Sequence, residues 1–313
     1  MVQSGFRAPV LLLLVLLLID TEGRFHSRSP HNAKYNLDLL AQINPRLKPF
    51  VRPSTYGSDS SHTIDFADSR GVLELNRALL RHFYEVEDWH VDERSLIPPI
   101  PSRADYVYHI LDYLSQLTLS RESDIVGLDI GTGASLIYPL IATSLSFNSR
   151  KVRMVGSEVN ANSYDMAQKN ALQRRGAIEV RKQENPNCIL TNIIQENDYF
   201  DFSMCNPPFY KSMRDYLAET NRKNRNLKIS NSGFRGLSHE LYCDGGEIRF
   251  INQMIDESVK FKTQVGVFTT LISSNENISA ITRLLDKIDD VKYEFIDMNT
   301  GNKRTRAVAW RFV

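Results

Sequence analysis

The chain from Ser123 onward predicts a doubly wound α/β fold, a mostly parallel sheet ending in a C-terminal antiparallel pair, with a small, mainly helical module before it. Three observations carry this. Between Ser123 and Ile288, apolar runs of strand length alternate with segments of helical apolar spacing. The last two runs, Lys292–Met298 and Ala307–Val313, have no helix between them and read as antiparallel neighbours. Composition is that of a globular protein: 313 residues, 42% apolar and 24% charged, are enough to bury a large core.

The elements follow in order. His26–Pro53 is polar and basic and contains a short helix near Leu37–Gln42. Tyr56–Ser61 is a turn cluster, and Thr63–Phe66 alternates as a short strand. Val72, Leu75, Leu79, Leu80 and Phe83 share one face of a helix over Val72–Val86. The prolines of Ile97–Pro101 form a rigid break, and Arg103–Leu119 is an amphipathic helix on which His109 is a packing or surface residue. Strands are expected at Asp124–Ile130, Val152–Ser157, Ile178–Arg181, Tyr199–Cys205 and Val265–Leu271. Helices are expected at Ala134–Ser144, Asn162–Arg174, within Gly245–Phe261, and at Ser279–Ile288. Trp89 and Trp310 are expected in the core.

The formal net charge of +1 excludes a uniformly basic nucleic-acid coat but not a local basic patch. Cys188, Cys205 and Cys243 form no CxxC pair, and the histidines show no HExxH spacing, so neither a disulfide framework nor a metal centre is expected. The apolar run Val10–Ile19 is short of the roughly 20 residues a membrane span needs. It reads as an export signal, a membrane-surface anchor, or an extension foreign to the working domain; the intracellular character of the remainder favours the third, and no membrane partner is expected.

Leu128-Asp129-Ile130-Gly131-Thr132-Gly133-Ala134-Ser135 lies where the first large strand turns into a helix. Glycines there let a ligand approach the backbone beside free helix N–H groups. Alone, this is equally a tight strand-to-helix turn, and it lacks the third glycine of a dinucleotide site. Glu158 ends the second strand, where a carboxylate can accept both ribose hydroxyl protons of a nucleoside. With no phosphate-binding lysine loop, a nucleoside with a short non-phosphate tail fits best, and S-adenosyl-L-methionine is such a ligand.

Asn206-Pro207-Pro208-Phe209 follows the fourth strand. Two prolines remove two backbone donors and stiffen the corner, Asn206 offers an acceptor, and Phe209 a stacking face. These parts suit methyl transfer to a planar exocyclic amine. Its delocalised lone pair is a poor nucleophile until acceptors on its two hydrogens let it pyramidalise, so positioning and fixed dipoles supply the catalysis. The structural alternative is a simple strand-to-loop break.

The segments LDIGTGASLIYPLI, SEV and MCNPPF resemble class I (Rossmann-like) adenine-N6 methyltransferases acting on structured RNA. HSRSPHNAKYNLDLL, PPIPSRADYVYHILDYL, ELYCDGGEIRFI and RAVAWRFV extend the resemblance, from about His26 to Val313, to the ribosomal RNA large subunit methyltransferase F family. The eukaryotic small nuclear RNA adenine-N6 methyltransferases share the core motifs more loosely. The resemblance implies methylation of one adenine of 23S ribosomal RNA, either free or in a pre-ribosomal particle, in the cytoplasm. It implies that Arg103, Asp129, Gly131, Gly133, Ser135, Glu158 and Asn206 hold the cofactor and that Asn206, Pro207, Pro208 and Phe209 form the catalytic corner. Residues 1–25 depart from the family pattern.

Lys211, Arg214, Arg222, Lys223, Arg225 and Lys228 follow the corner directly and are expected to contact RNA phosphates, fixing register rather than reading sequence. The bland alternative is a solvated charged segment. Glu247 is expected to brace the corner. The resulting division is an apolar extension (1–25), a helical RNA-binding module (26–101) and a methyltransferase domain (102–313). Two rival functions remain: a protein glutamine N-methyltransferase, whose side-chain amide would also fit the corner, and a non-catalytic RNA-binding factor of the same fold.

Overall fold

The computed structural model describes residues 25–54, 62–91, 97–117, 123–208, 245–300 and 303–313; the apolar run Val10–Ile19 lies outside them. The N-terminal part opens with α1 (Leu37–Ile43), capped by Asn36, whose side chain accepts the Leu39 N–H. A two-residue antiparallel ribbon follows, β1 (Arg52–Pro53) with β2 (His62–Thr63), shorter than the alternation of Thr63–Phe66 suggests. Helix α2 (Ser69–Tyr84) is capped by Asp68 and stops at Glu85, which takes a left-handed conformation. Helix α3 (Ile100–Ser115) begins inside the proline run: Pro101 fills a first-turn position, where a missing N–H costs nothing, so the prolines open this helix rather than break the chain.

The large sheet is built from β3 (Ile125–Ile130), the short β4 (Ser146–Phe147), β5 (Arg150–Glu158), β6 (Ile178–Lys182), β7 (Phe200–Cys205), β8 (Val265–Ile272), β9 (Val291–Thr300) and β10 (Lys303–Phe312). Its path is β5-β3-β7-β8-β10-β9, with β6 and β4 pairing on β5. Strands β3, β5, β6, β7 and β8 are parallel, and β10 lies antiparallel between β8 and β9, as the helix-free C-terminal pair predicts. The connecting helices are α4 (Ile137–Ala142), α5 (Ala161–Ala171), α6 (Gly246–Ser258) and α7 (Ile278–Leu285). Helix α4 starts later than the apolar pattern from Ala134, because Leu136 takes a left-handed conformation (φ 51°) and the chain is still turning.

Both faces of the sheet are covered. On one, α2 and α3 pack through Leu79, Ile110 and Leu114 against Ile141, Met154 and Phe202, so the N-terminal helices and the sheet share one apolar cluster. On the other, Ile255 of α6 and Leu285 of α7 cover Leu128, Phe268 and Trp310. Alternation in β10 divides the two clusters, with Ala307 and Ala309 facing one and Val308 and Trp310 the other. Trp89 and Trp310 are both buried.

Strand order reverses between β3 and its two neighbours, and crevices form at the carboxyl ends of such strands. In the parallel register Ile130 lies opposite Ser157 on one side and Cys205 on the other. The next residues of the three strands, Gly131, Glu158 and Asn206, therefore emerge together at that end of the sheet.

Candidate active site

The turn after β3 is shaped by two glycines with positive φ, Gly131 (68°) and Gly133 (64°). Among the described residues, its chain neighbours aside, a Cβ at Gly131 would meet no atom within 4 Å and would occupy space the backbone leaves open. Strand β5 fixes the turn: the Thr132 N–H donates to the Ser157 carbonyl (2.8 Å) and the Gly133 N–H to Glu158 Oε2 (2.9 Å). Glu158 Oε1 accepts the Asn160 N–H (2.8 Å), so the carboxylate, 5% exposed, is held by backbone on both sides. Carboxylate oxygens accept more than one hydrogen bond each, which suits this group to a diol as well.

These residues wall a cavity of about 520 Å³, within the roughly 300–1,000 Å³ of small-molecule sites. Arg103, Gly131, Gly133, Ser135, Glu158, Asn206 and Pro208 all line it. Arg103 enters from the first turn of α3, where its Nη1 donates to the Tyr138 hydroxyl (3.1 Å) and its guanidinium lies 5.7 Å from that ring's centre. Asn206 Oδ1 is buried and has no hydrogen-bond partner among the described residues. A buried amide oxygen without a donor costs about 1–3 kcal/mol, so its position is that of an acceptor awaiting a ligand's N–H. These features fit S-adenosyl-L-methionine: a buried acid for a ribose, a cation for a carboxylate, an open glycine backbone, and an acceptor beside them.

Three residues expected at the site, Asp129, Pro207 and Glu247, do not line this cavity. Asp129 is 1% exposed and accepts the Thr132 hydroxyl (2.6 Å), bracing the turn from behind. Burial pushes its pKa up to about 7; the Thr132 hydrogen bond opposes this, the Glu158 charge adds to it, and Arg103 opposes it. Pro207 is buried and is not a wall residue. Phe209 and the cations Lys211, Arg214, Arg222, Lys223, Arg225 and Lys228 lie outside the described residues. Glu247 does not bond the Asn206–Pro208 corner: it accepts the Ser273 N–H (2.7 Å) and the Asn277 amide (2.6 Å), closing the turn between β8 and α7.

The sequence pattern misses the opposite wall. Gln183, directly after β6, donates to the Thr191 carbonyl (2.9 Å) and joins Cys188 and Ile189 in lining the cavity. Glu257 of α6 accepts the N–H groups of Ile189, Leu190 and Thr191 at 2.8–3.1 Å. Gln253, one turn earlier, lines the cavity and donates to both Glu257 and the Asn187 carbonyl. Gln183 could have been found as the residue ending a parallel strand; Gln253 and Glu257 carry no local signal. Among the described residues no group of three or more His, Cys, Asp or Glu side chains could hold a metal ion.

Comparison with known proteins agrees with this geometry. A family model described as RNA methyltransferase matches residues 20–313. The ribosomal RNA large subunit methyltransferase F of Christiangramia forsetii is 40% identical over 293 residues, covering 92% of this chain and 99% of that protein. The protein of the same name from Escherichia coli is 38% identical over 294 residues, covering 92% and 93%. The crystal structure of the hMettl16 catalytic domain in complex with the MAT2A 3'UTR hairpin 6 superposes with a TM-score of 0.76 at 25% identity, over 93% of this chain and 98% of that one. The N-terminal domain of human METTL16 in complex with SAH has the same fold, with a TM-score of 0.70 at 24% identity over 92% and 99% of the two chains. The chain therefore belongs to the RNA methyltransferase family that includes ribosomal RNA large subunit methyltransferase F.

Proposed function

We propose that this protein transfers a methyl group from S-adenosyl-L-methionine to the N6 amine of an adenine in 23S, large-subunit ribosomal RNA. The observation that carries the reading is the buried oxygen of Asn206, partnerless among the described residues, in the same cavity as Glu158 and the glycine turn. Family membership and the names of the relatives support the substrate class.

The bound donor supplies a sulfonium whose methyl is electrophilic without further activation. Everything else falls to this chain. Glu158 accepts the ribose hydroxyl protons, and Arg103 pairs with the carboxylate end. Asn206 Oδ1 accepts a hydrogen of the target amine, so the nitrogen lone pair turns out of the ring plane toward the donor. No strong base is needed, because the proton is lost after transfer. Preorganised dipoles of this kind act without reorganising during reaction. Phe209 offers the stacking face for an adenine taken out of its helix or loop.

We assign RNA phosphate contacts to Lys211, Arg214, Arg222, Lys223, Arg225 and Lys228, and to the N-terminal module over 26–101, where Lys34, Arg46, Lys48 and Arg52 are exposed. The methyltransferase domain spans 102–313 and the apolar extension 1–25. We place the reaction in the cytoplasm, on ribosomal RNA free or within a pre-ribosomal particle; no helix among the described residues is long and apolar enough to cross a membrane.

The test is direct. Purified protein is incubated with labelled donor and a 23S ribosomal RNA transcript or immature large subunits, and the nucleosides are resolved by mass spectrometry. N6-methyladenosine at a single position is expected. Label appearing in protein glutamine instead, or nowhere in the RNA, overturns the reading.

A further inference from the structure

The segment that leaves α2 runs along the end of α5 and is held there by side chains. Arg174 donates to the carbonyls of Tyr84 and Glu85. Gln173 exchanges two hydrogen bonds with the backbone of Asp88 (2.8 and 2.6 Å), and Asn170 exchanges two with that of His90 (both 2.8 Å). The chain between α2 and residue 91 is thus fastened to the sheet domain through its backbone.

Asn170 and Trp89 pass this constraint to the glycine turn. Asn170 is completely buried, and the same amide nitrogen also donates to the Ala134 carbonyl (2.9 Å). Trp89, itself buried, donates its indole N–H to the Ser135 carbonyl (2.8 Å). Ala134 and Ser135 directly follow Gly133, the residue bonded to Glu158. The turn is therefore gripped on one side by β5 and on the other by a segment that comes from the N-terminal module.

A turn containing two glycines has little stiffness of its own. Whatever order it lacks before binding must be imposed by the ligand, at the expense of affinity. We propose that Asn170 and Trp89 are positioning residues for the methyl donor. They fix the shape of residues 131–135 from outside the cavity, and through them the N-terminal module sets cofactor affinity. This rests on assigning the cavity to S-adenosyl-L-methionine. Neither residue lines the cavity, so both act through the turn and not on the reacting atoms.

Calorimetric titration with S-adenosylhomocysteine tests the inference on the wild-type chain, Trp89→Phe and Asn170→Ala, each checked for folding by circular dichroism. Trp89→Phe keeps an aromatic ring in place while removing the donor, so it remains informative should Asn170→Ala fold poorly. Loss of one such hydrogen bond should weaken S-adenosylhomocysteine binding, and raise KM for the donor, roughly three- to tenfold. The kcat at saturating donor should stay at the wild-type value. Unchanged affinity in Trp89→Phe while the wild-type chain binds normally overturns the inference and leaves the cofactor assignment standing. A fall in kcat with unchanged affinity overturns it as well. A wild-type chain that binds no S-adenosylhomocysteine removes both.

Discussion

Glu158 Oε2 accepts the N–H of Gly133 at 2.9 Å, so the acid that ends β5 and the turn that ends β3 form one unit. The strand register brings them together: Ser157 pairs with Ile130, and Gly131 and Glu158 follow them at the carboxyl end of the sheet, Glu158 still paired with Lys182 of β6. A substitution at Glu158 therefore acts twice, on the proposed ribose contact and on the turn.

Glu158→Ala should weaken S-adenosylhomocysteine binding by about 1.5–3 kcal/mol, roughly ten- to a hundredfold, the range for hydrogen bonds to a charged group. Calorimetry provides the measurement. An unaltered dissociation constant would separate this carboxylate from the ribose.

Asn206→Ala removes a buried acceptor that has no partner among the described residues. Turnover should fall on the order of 10²–10³-fold, as when one preorganised dipole is lost from an active site. Affinity for S-adenosylhomocysteine should change little. Single-turnover methylation of the RNA at saturating donor reads the chemical step, and an unchanged rate would refute the proposed role.

Stability should fall on acidification because of His31. This ring is fully buried between the hydroxyls of Tyr84 (2.7 Å) and Tyr35 (2.8 Å), and burial lowers its pKa from 6.5 to about 3. A folded value below the unfolded one means the unfolded chain takes the proton first. The contribution of the neutral ring is complete above pH 6.5 and is lost as pH drops from there toward 3. Glu257 adds to the loss at lower pH: burial would raise its pKa, but Gln253 and the N–H groups of Thr191, Leu190 and Ile189 hold it below 4.5. Urea midpoints at pH 7.5 and pH 5 should differ for the wild-type chain, and His31→Gln should shrink that difference. Equal pH dependence in both proteins would count against the buried neutral ring.

Gly127→Ala in β3 should destabilise the fold. A Cβ there would lie 2.3 Å from Phe202 Cζ and 2.6 Å from Met154 Sδ, two buried side chains that would have to shift. The expected cost is about 1–3 kcal/mol, read as a lower Tm. Adding Phe202→Leu should restore part of it, and a double variant no better than the single one would place the strain elsewhere.

Replacing Arg222, Lys223 and Arg225 with neutral residues should weaken RNA binding and reduce the slope of log K against log salt by about 0.7–0.9 per lost phosphate contact. A slope identical to wild type would take this segment out of the interface.

The parts of the site that were legible in the sequence are those that end strands. Gly131, Glu158 and Asn206 each follow an apolar run directly, and parallel pairing then places them side by side. Asp129 is the residue whose role alternation does not decide. A sheet covered on both faces has no solvent side, so alternation says that Asp129 opposes Leu128 and Ile130 without saying whether it reaches a ligand or a neighbouring hydroxyl. Gln253 and Glu257 were illegible because they meet residues 187–191 only after α6 has folded back over the sheet. Glu247 follows the same logic: its partners, Ser273 and Asn277, lie 26 and 30 residues further along the chain, and no local pattern at Glu247 points to them.

The docking of Glu247 ties two crossovers of the sheet into one. A single carboxylate at the start of α6 holds both the Ser273 N–H just past β8 and the Asn277 amide just ahead of α7. Helices α6 and α7, which share an apolar cluster on one face of the sheet, are thereby locked in phase, so a shift of either must carry the other with it.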